Sequence, residues 1–210
     1  GFIIDKEGII VTNNHVIEGA DEITVIMSDQ KEFVAELLGR DPKADLAVLR
    51  INPGATELTS VDWGDSESMK VGDWSIAIGN PLGLGGTVTA GIISAISRDL
   101  RGSSPYVKFL QTDASINRGN SGGPLFNLKG EVIGVNTAIY SPSGGSVGIG
   151  FAIPSALAEN IVEQLEDHGR TIRGWLGVRI QTVTDDLASS LGLNRSYGAL
   201  VASVIPNSPA

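Results

Sequence analysis

The sequence predicts an all-β fold of short strands, closed into barrels or packed as a sandwich. Val- and Ile-rich segments recur with the alternation of half-buried strands. Glycine supplies 27 of the 210 residues and falls between those segments, where tight turns need it. Hydrophobic residues make up 41% of the chain, enough for a sizeable core.

Taken in order, Phe2 to Val11 reads as a hairpin turning at Asp5-Lys6-Glu7-Gly8. Strands follow at Ile23 to Met27, Phe33 to Gly39 and Leu46 to Ile51. Gly72-Asp73 signals a turn before a strand at Trp74 to Ile78. Val88 to Ile96 is β-branched and punctuated by glycine, and Val132 to Ile139 and Val147 to Ile153 complete the series. Arg98 to Lys108 and Ser141 to Ser146 read as Gly/Ser/Pro loops. Leu157, Ile161, Val162 and Leu165 then repeat at helical spacing, which predicts a helix over Ser155 to His168 packed on the barrels. Ser155 is the expected N-cap and Gly169 the expected C-cap. A boundary is expected near Gly169 to Gly174, with 1–170 as one domain and 171–210 as a linker and the beginning of another. The chain opens at Gly1-Phe2-Ile3-Ile4, already inside a strand pattern, so a preceding strand is expected outside it.

The formal charge of −9 argues against nucleic acid or an anionic membrane as the main partner. With no cysteine, disulfides and thiolate metal sites are excluded, and two histidines make a histidine-based metal centre an unpromising reading. No apolar run approaches the roughly 18 residues that span a bilayer. Gly83-Leu84-Gly85-Gly86 and Gly144-Gly145-Ser146 lack the Lys-Ser/Thr ending of a phosphate loop and read as plain loops.

Asn117-Arg118-Gly119-Asn120-Ser121-Gly122-Gly123-Pro124-Leu125 carries the strongest chemical signal. It sets a serine among glycines. The amides of Gly119 and Ser121 can converge on an oxyanion, and Gly122 and Gly123 are expected to leave room for a peptide. His15, just after a strand, is the candidate general base; the plainer reading is a structural or surface histidine. His168, at the polar end of the helix, is expected to be solvated. Asp45, directly before an apolar strand, is the candidate to orient the imidazole. Asp41 and Asp113 are its rivals, Asp41 resembling a turn residue and Asp113 being placed to hold the loop before Ser121. The order His, Asp, Ser along the chain is that of the two-barrel serine proteases, whose chemistry needs no cofactor and no metal.

Thr12-Asn13-Asn14-His15-Val16-Ile17, Asp45-Leu46-Ala47-Val48-Leu49, Ala77-Ile78-Gly79-Asn80-Pro81, Gln111 through Leu125 and Gly148 through Pro154 together resemble the HtrA/DegP family of serine proteases. The resemblance implies a chymotrypsin-like fold of two six-stranded barrels with a C-terminal helix, and a catalytic triad of His15, Asp45 and Ser121. The oxyanion hole would fall on the backbone at Gly119, Asn120 and Ser121. Asn120 stands where digestive relatives keep an aspartate that pairs with a new N-terminal amine, so control must come from elsewhere. The resemblance places it in loop ordering and oligomer assembly, over Gly83 to Thr87, Arg98 to Lys108, Ser115 to Asn120 and Ser141 to Ser146. Arg98 would be the signalling arginine; its plainer reading is a solvent-facing side chain. The tail from Gly174 resembles the start of a PDZ domain, with Trp175, Leu176, Gly177 and Val178 as its carboxylate loop. The family implies a periplasmic, ATP-independent endopeptidase of misfolded or damaged proteins, acting as a homotrimer or larger homo-oligomer on unfolded protein or peptide substrates. The alternative is a chaperone or holdase with a latent protease site.

Overall fold

The computed structural model describes residues 1–80, 86–100, 104–142 and 144–210. The stretches expected to act as control loops at Gly83 to Thr87, Arg98 to Lys108 and Ser141 to Ser146 fall partly outside these. The chain divides into two compact units, Gly1–Thr171 and Ile172–Ala210.

The first unit begins with the hairpin β1 (Phe2–Asp5) and β2 (Ile9–Thr12) and the one-turn helix α1 (Asn14–Ile17). Then come β3 (Ile23–Ile26), β4 (Glu32–Asp41) and β5 (Leu46–Ile51). These strands form an antiparallel sheet in the order β1-β2-β5-β4-β3. The expected first barrel is therefore a five-stranded open sheet among the described residues, because nothing pairs β1 with β3. The alternation of β3 and the β2 and β5 patterns explain the layering. β5 is buried on both faces apart from Arg50 and lies at the centre, whereas β3 alternates half-buried and exposed at an edge.

The second half is a closed six-stranded barrel. It comprises β6 (Trp74–Gly79), β7 (Thr87–Arg98), β8 (Phe109–Thr112), β9 (Pro124–Phe126), β10 (Val132–Ile139) and β11 (Gly150–Pro154). β7 runs through Arg98, further than expected, because Arg98 still pairs with Phe109 across the ladder. β8 and β9 fall where no strand was expected, and the last barrel strand starts at Gly150 rather than Val147.

Helix α2 (Ser155–His168) packs on β4, β5, β10 and β11 and thereby joins the two halves. Its Ala158, Ile161, Val162 and Leu165 share one buried cluster with Val11, Leu46 and Val48 of the first sheet and Val132, Val135, Phe151 and Ile153 of the barrel. Gly169 ends the helix with φ 68 and returns its N–H to the Leu165 carbonyl. The N-cap is Pro154, not Ser155. Ser155 is already helical, and its hydroxyl accepts the Ser66 N–H while donating to the Gly64 carbonyl. It fastens the helix to the connection between the halves.

In the second unit, β12 (Val178–Thr182) pairs antiparallel with β13 (Ala199–Val204), and helix α3 (Asp185–Ser190) lies between them in sequence. The Thr184 hydroxyl caps α3 by accepting the Leu187 N–H. No helix among the described residues is long and apolar enough to cross a membrane.

Leu165 has no solvent exposure and touches the core that both halves share. Leu165→Ala is expected to lose about 2–5 kcal/mol of stability. Chemical denaturation checks this; a loss below about 1 kcal/mol would mean that α2 does not bear on the shared core.

Candidate active site

His15 rides on α1, directly after the strand β2. Asp45 sits at the mouth of β5, and Ser121 follows a turn that leads into β9. The His15 Nδ1 lies 2.7 Å from the Asp45 Oδ2, and the His15 backbone N–H donates to Asp45 Oδ1 at 2.9 Å. With the carboxylate ionised, Nδ1 carries the proton and Nε2 is left as an acceptor. The hydrogen bond to Asp45 raises the His15 pKa, partial burial works against it, and the charges of Asp45 and Glu18 add to the rise. Burial opposes ionisation of Asp45, but hydrogen bonds from His15 and Thr137 outweigh it, and its carboxyl is held below the ordinary value.

Thr137, on β10, was not anticipated from the sequence. Its hydroxyl donates to Asp45 Oδ2, and its backbone carbonyl accepts the Ser121 hydroxyl at 3.4 Å. Ser121 is thus joined to the His15–Asp45 pair through Thr137. Among the described residues no hydrogen bond links His15 to Ser121 directly. Thr137 is 92 positions from Asp45 along the chain, and no local pattern in the sequence marks it.

The turn before Ser121 closes with the Asn120 N–H on the Asn117 carbonyl at 3.0 Å, and Gly119 has φ 100. A positive φ at the third residue defines a type II turn, whose central peptide is flipped relative to type I. Neither the Gly119 N–H nor the Ser121 N–H has an acceptor among the described residues. Asn120 is buried, and its side-chain amide reaches the Ser115 carbonyl at 3.4 Å.

The expectation that Gly122 and Gly123 leave space for a peptide is corrected. A Cβ on Gly122 would stand 2.3 Å from the Thr12 hydroxyl, and one on Gly123 would stand 2.3 Å from the Ile78 carbonyl. The protein's own chain fills that space. Gly122 also has φ 78, so both its conformation and its neighbours require glycine.

Of the rival aspartates, Asp113 accepts the Ile92 N–H at 2.6 Å. Asp41 binds the amides of Lys43 and Ala44 and the hydroxyl of Thr171. The His15 ring pairs with Asp45 instead. Arg98 is exposed and donates from Nε to Gln111 at 3.1 Å. Trp175 and Leu176 are exposed, and the Leu176 and Gly177 carbonyls accept from Ala210 and Ile205 within the second unit. Beside Ser121 lies a cavity of about 230 Å³ lined by Ile116, Asn117, Thr137, Ala138, Ile139 and neighbouring residues. Among the described residues no three His, Asp or Glu side chains stand close enough to share a metal ion.

A family model described as a trypsin-like peptidase domain matches residues 1–135. A protein of Brucella suis biovar 1 (strain 1330) named "Probable periplasmic serine endoprotease DegP-like" is 56% identical over 210 residues, covering 100% of this chain and 41% of its own length. One of the same name from Rhizobium meliloti (strain 1021) is 56% identical over 209 residues, with the same coverage. The chain thus spans about two fifths of the length of the curated relatives it matches. Among solved structures, "HtrA-type protease AlgW with decapeptide" superposes with a TM-score of 0.88 at 50% identity, covering 99% of this chain and 63% of that one. The serine endoprotease from Yersinia pestis superposes with a TM-score of 0.75 at 42% identity, covering 99% and 66%.

Asp45→Asn is expected to move the His15 titration down toward the ordinary value of 6.5, read by NMR of the ring protons. An unchanged titration would mean that Asp45 is not the cause. The two groups act on stability with opposite sign. The contribution of His15 is complete below its unfolded pKa and fades as pH rises through the raised folded value. That of Asp45 is complete above its unfolded pKa and fades as pH falls through the depressed folded value.

Proposed function

The chain belongs to the trypsin-like peptidase family, as a member of the HtrA/DegP type, and we propose that it hydrolyses peptide bonds with Ser121 as nucleophile, His15 as general base and Asp45 as the orienting carboxylate. The His15–Asp45 contact at 2.7 Å carries this reading. It sets the tautomer in which Nε2 accepts the Ser121 proton as the hydroxyl attacks the scissile carbonyl. Proton transfer leaves an imidazolium beside an ionised Asp45, which stabilises it. The Gly119 and Ser121 amides, unengaged and flanking the type II turn, receive the tetrahedral oxyanion. Collapse transfers the acyl group to Ser121 Oγ and gives the His15 proton to the leaving amine. Water, deprotonated by His15, then frees the acyl group. The Ile116- and Ile139-lined cavity beside Ser121 suits a small aliphatic side chain before the cut.

The setting is the periplasm, which the names of the relatives support; the proposed substrates are unfolded or damaged proteins, degraded in quality control without ATP. The full-length protein is proposed to act as a homotrimer or larger homo-oligomer, with Arg98 in the signalling loop. Residues 171–210 are read as a linker and the beginning of a PDZ domain. In it β12 has one edge paired with β13 and the other open among the described residues, which suits strand addition by a peptide C-terminus at Trp175 to Val178.

A second reading has an observation of its own. The Ser121 hydroxyl is turned to Thr137 rather than to His15, as in a holdase whose protease site is latent. A fluorophosphonate probe separates the two. Labelling at Ser121, with casein cleavage that falls at least about 10³-fold in Ser121→Ala, is the expected result. No labelling together with suppressed client aggregation supports the holdase, and cleavage by Ser121→Ala at the parent rate overturns the peptidase assignment.

A further inference from the structure

We propose that Asn13 and Asp41 are positioning residues that hold Asp45 in the left-handed backbone conformation from which its carboxylate reaches His15. This rests on the serine-peptidase reading above. Asp45 has φ 58, a region that residues other than glycine seldom occupy and that persists only where the surroundings over-determine it. Two buried side chains do so from opposite sides.

Asn13, with no solvent exposure, donates from Nδ2 to the Asp45 carbonyl at 2.8 Å. It ties the residue's backbone to the segment that carries His15. Asp41, 3% exposed, gathers the turn that delivers the chain into Asp45. Its Oδ1 accepts the N–H of Lys43 at 3.0 Å and of Ala44 at 3.4 Å. Its Oδ2 accepts the hydroxyl of Thr171, beyond α2, at 2.9 Å. The turn is therefore wound around one carboxylate that is itself fastened to a distant part of the unit. Without these holds, rotation of Asp45 to the extended region would swing its carboxylate away from the imidazole. Among the described residues neither side chain is hydrogen-bonded to Ser121 or to the Gly119 amide; toward the site, Asn13 holds the Asp45 carbonyl and Asp41 the turn that leads into Asp45.

The test compares Asp41→Ala, Asp41→Asn and Asn13→Ala in the full-length protein, reading kcat, KM and the pH profile of kcat/KM. Ser121→Ala serves as the control for the underlying reading: if it cleaves at the parent rate, the peptidase assignment fails whatever the other variants do. Asp41→Ala and Asn13→Ala are expected to lose kcat by about 100-fold, the scale of an ångström-level misplacement. KM is expected to stay within about twofold, since no substrate contact is removed. The acid limb of kcat/KM is expected to move to lower pH, because His15 loses its partner; Glu18, the other charge that raises it, is untouched. Asp41→Asn keeps an oxygen for the two amides and an N–H for the Thr171 hydroxyl, and is expected to retain kcat within about threefold. That variant also separates geometry from the loss of a negative charge. Folded alanine variants with the parent kcat and acid limb overturn the proposal. So does a loss of kcat with an unmoved acid limb, or an Asp41→Asn variant as impaired as Asp41→Ala. Should Asp41→Ala fail to fold, Asn13→Ala, which leaves the 41–44 turn intact, decides the matter.

Discussion

The Asp45 carboxylate accepts from three donors drawn from both halves of the molecule. One oxygen takes the His15 backbone N–H, and the other takes the His15 ring and the Thr137 hydroxyl. The first two donors belong to α1 beside the open sheet and the third to the closed barrel. A partly buried carboxylate is tolerated only when such donors repay its lost hydration, and each charge-assisted hydrogen bond contributes about 1.5–3 kcal/mol. The relative placement of sheet and barrel is thereby written into the ionisation of one group. The hydrophobic cluster beneath α2 holds the halves together; Asp45 fixes how they face each other.

Of the glycines that follow Ser121, Gly122 serves the same joint and Gly123 the packing within the barrel. Gly122 lets the strand after the serine press against Thr12 and Asn13, and Gly123 lets it press against Ile78. A side chain at Gly122 would push the halves apart at the place where the proposed nucleophile and base must meet, whereas one at Gly123 would press on β6 of its own barrel. Asn120 is buried in this wedge as a neutral group, so no carboxylate there needs an ion-pair partner before the fold closes.

Much of this was legible in the chain, for identifiable reasons. Strands with alternating or continuous apolar patterns, such as Ile23–Ile26 and Leu46–Ile51, declare themselves, and so does the helix whose Leu157, Ile161, Val162 and Leu165 share one stripe. Pro124–Phe126 and Phe109–Thr112 did not, because each is a short run buried at successive positions, with no alternation to read. The single turn of helix at Asn14–Ile17 was too short to show a period. His15, Asp45 and Ser121 stood out by residue type and neighbours. Thr137 did not, since its contact depends on barrel closure rather than on anything near it in sequence. Gly122 and Gly123 read as room for a peptide, whereas the space is taken by Thr12 and Ile78; glycine announces close approach without saying what approaches.

The bond from the Ser121 hydroxyl to the Thr137 carbonyl has an energetic consequence for the proposed chemistry. At 3.4 Å it is long for an O–H donor, and such a bond between neutral groups contributes about 1 kcal/mol or less. The parked rotamer is therefore held only weakly, by about 1 kcal/mol or less. A throttle set that shallow needs no cut in the chain and no exchange of cofactor; a contact worth little more than one weak bond, made anywhere that nudges β10, would retune the fraction of molecules at work several-fold and release it again when withdrawn.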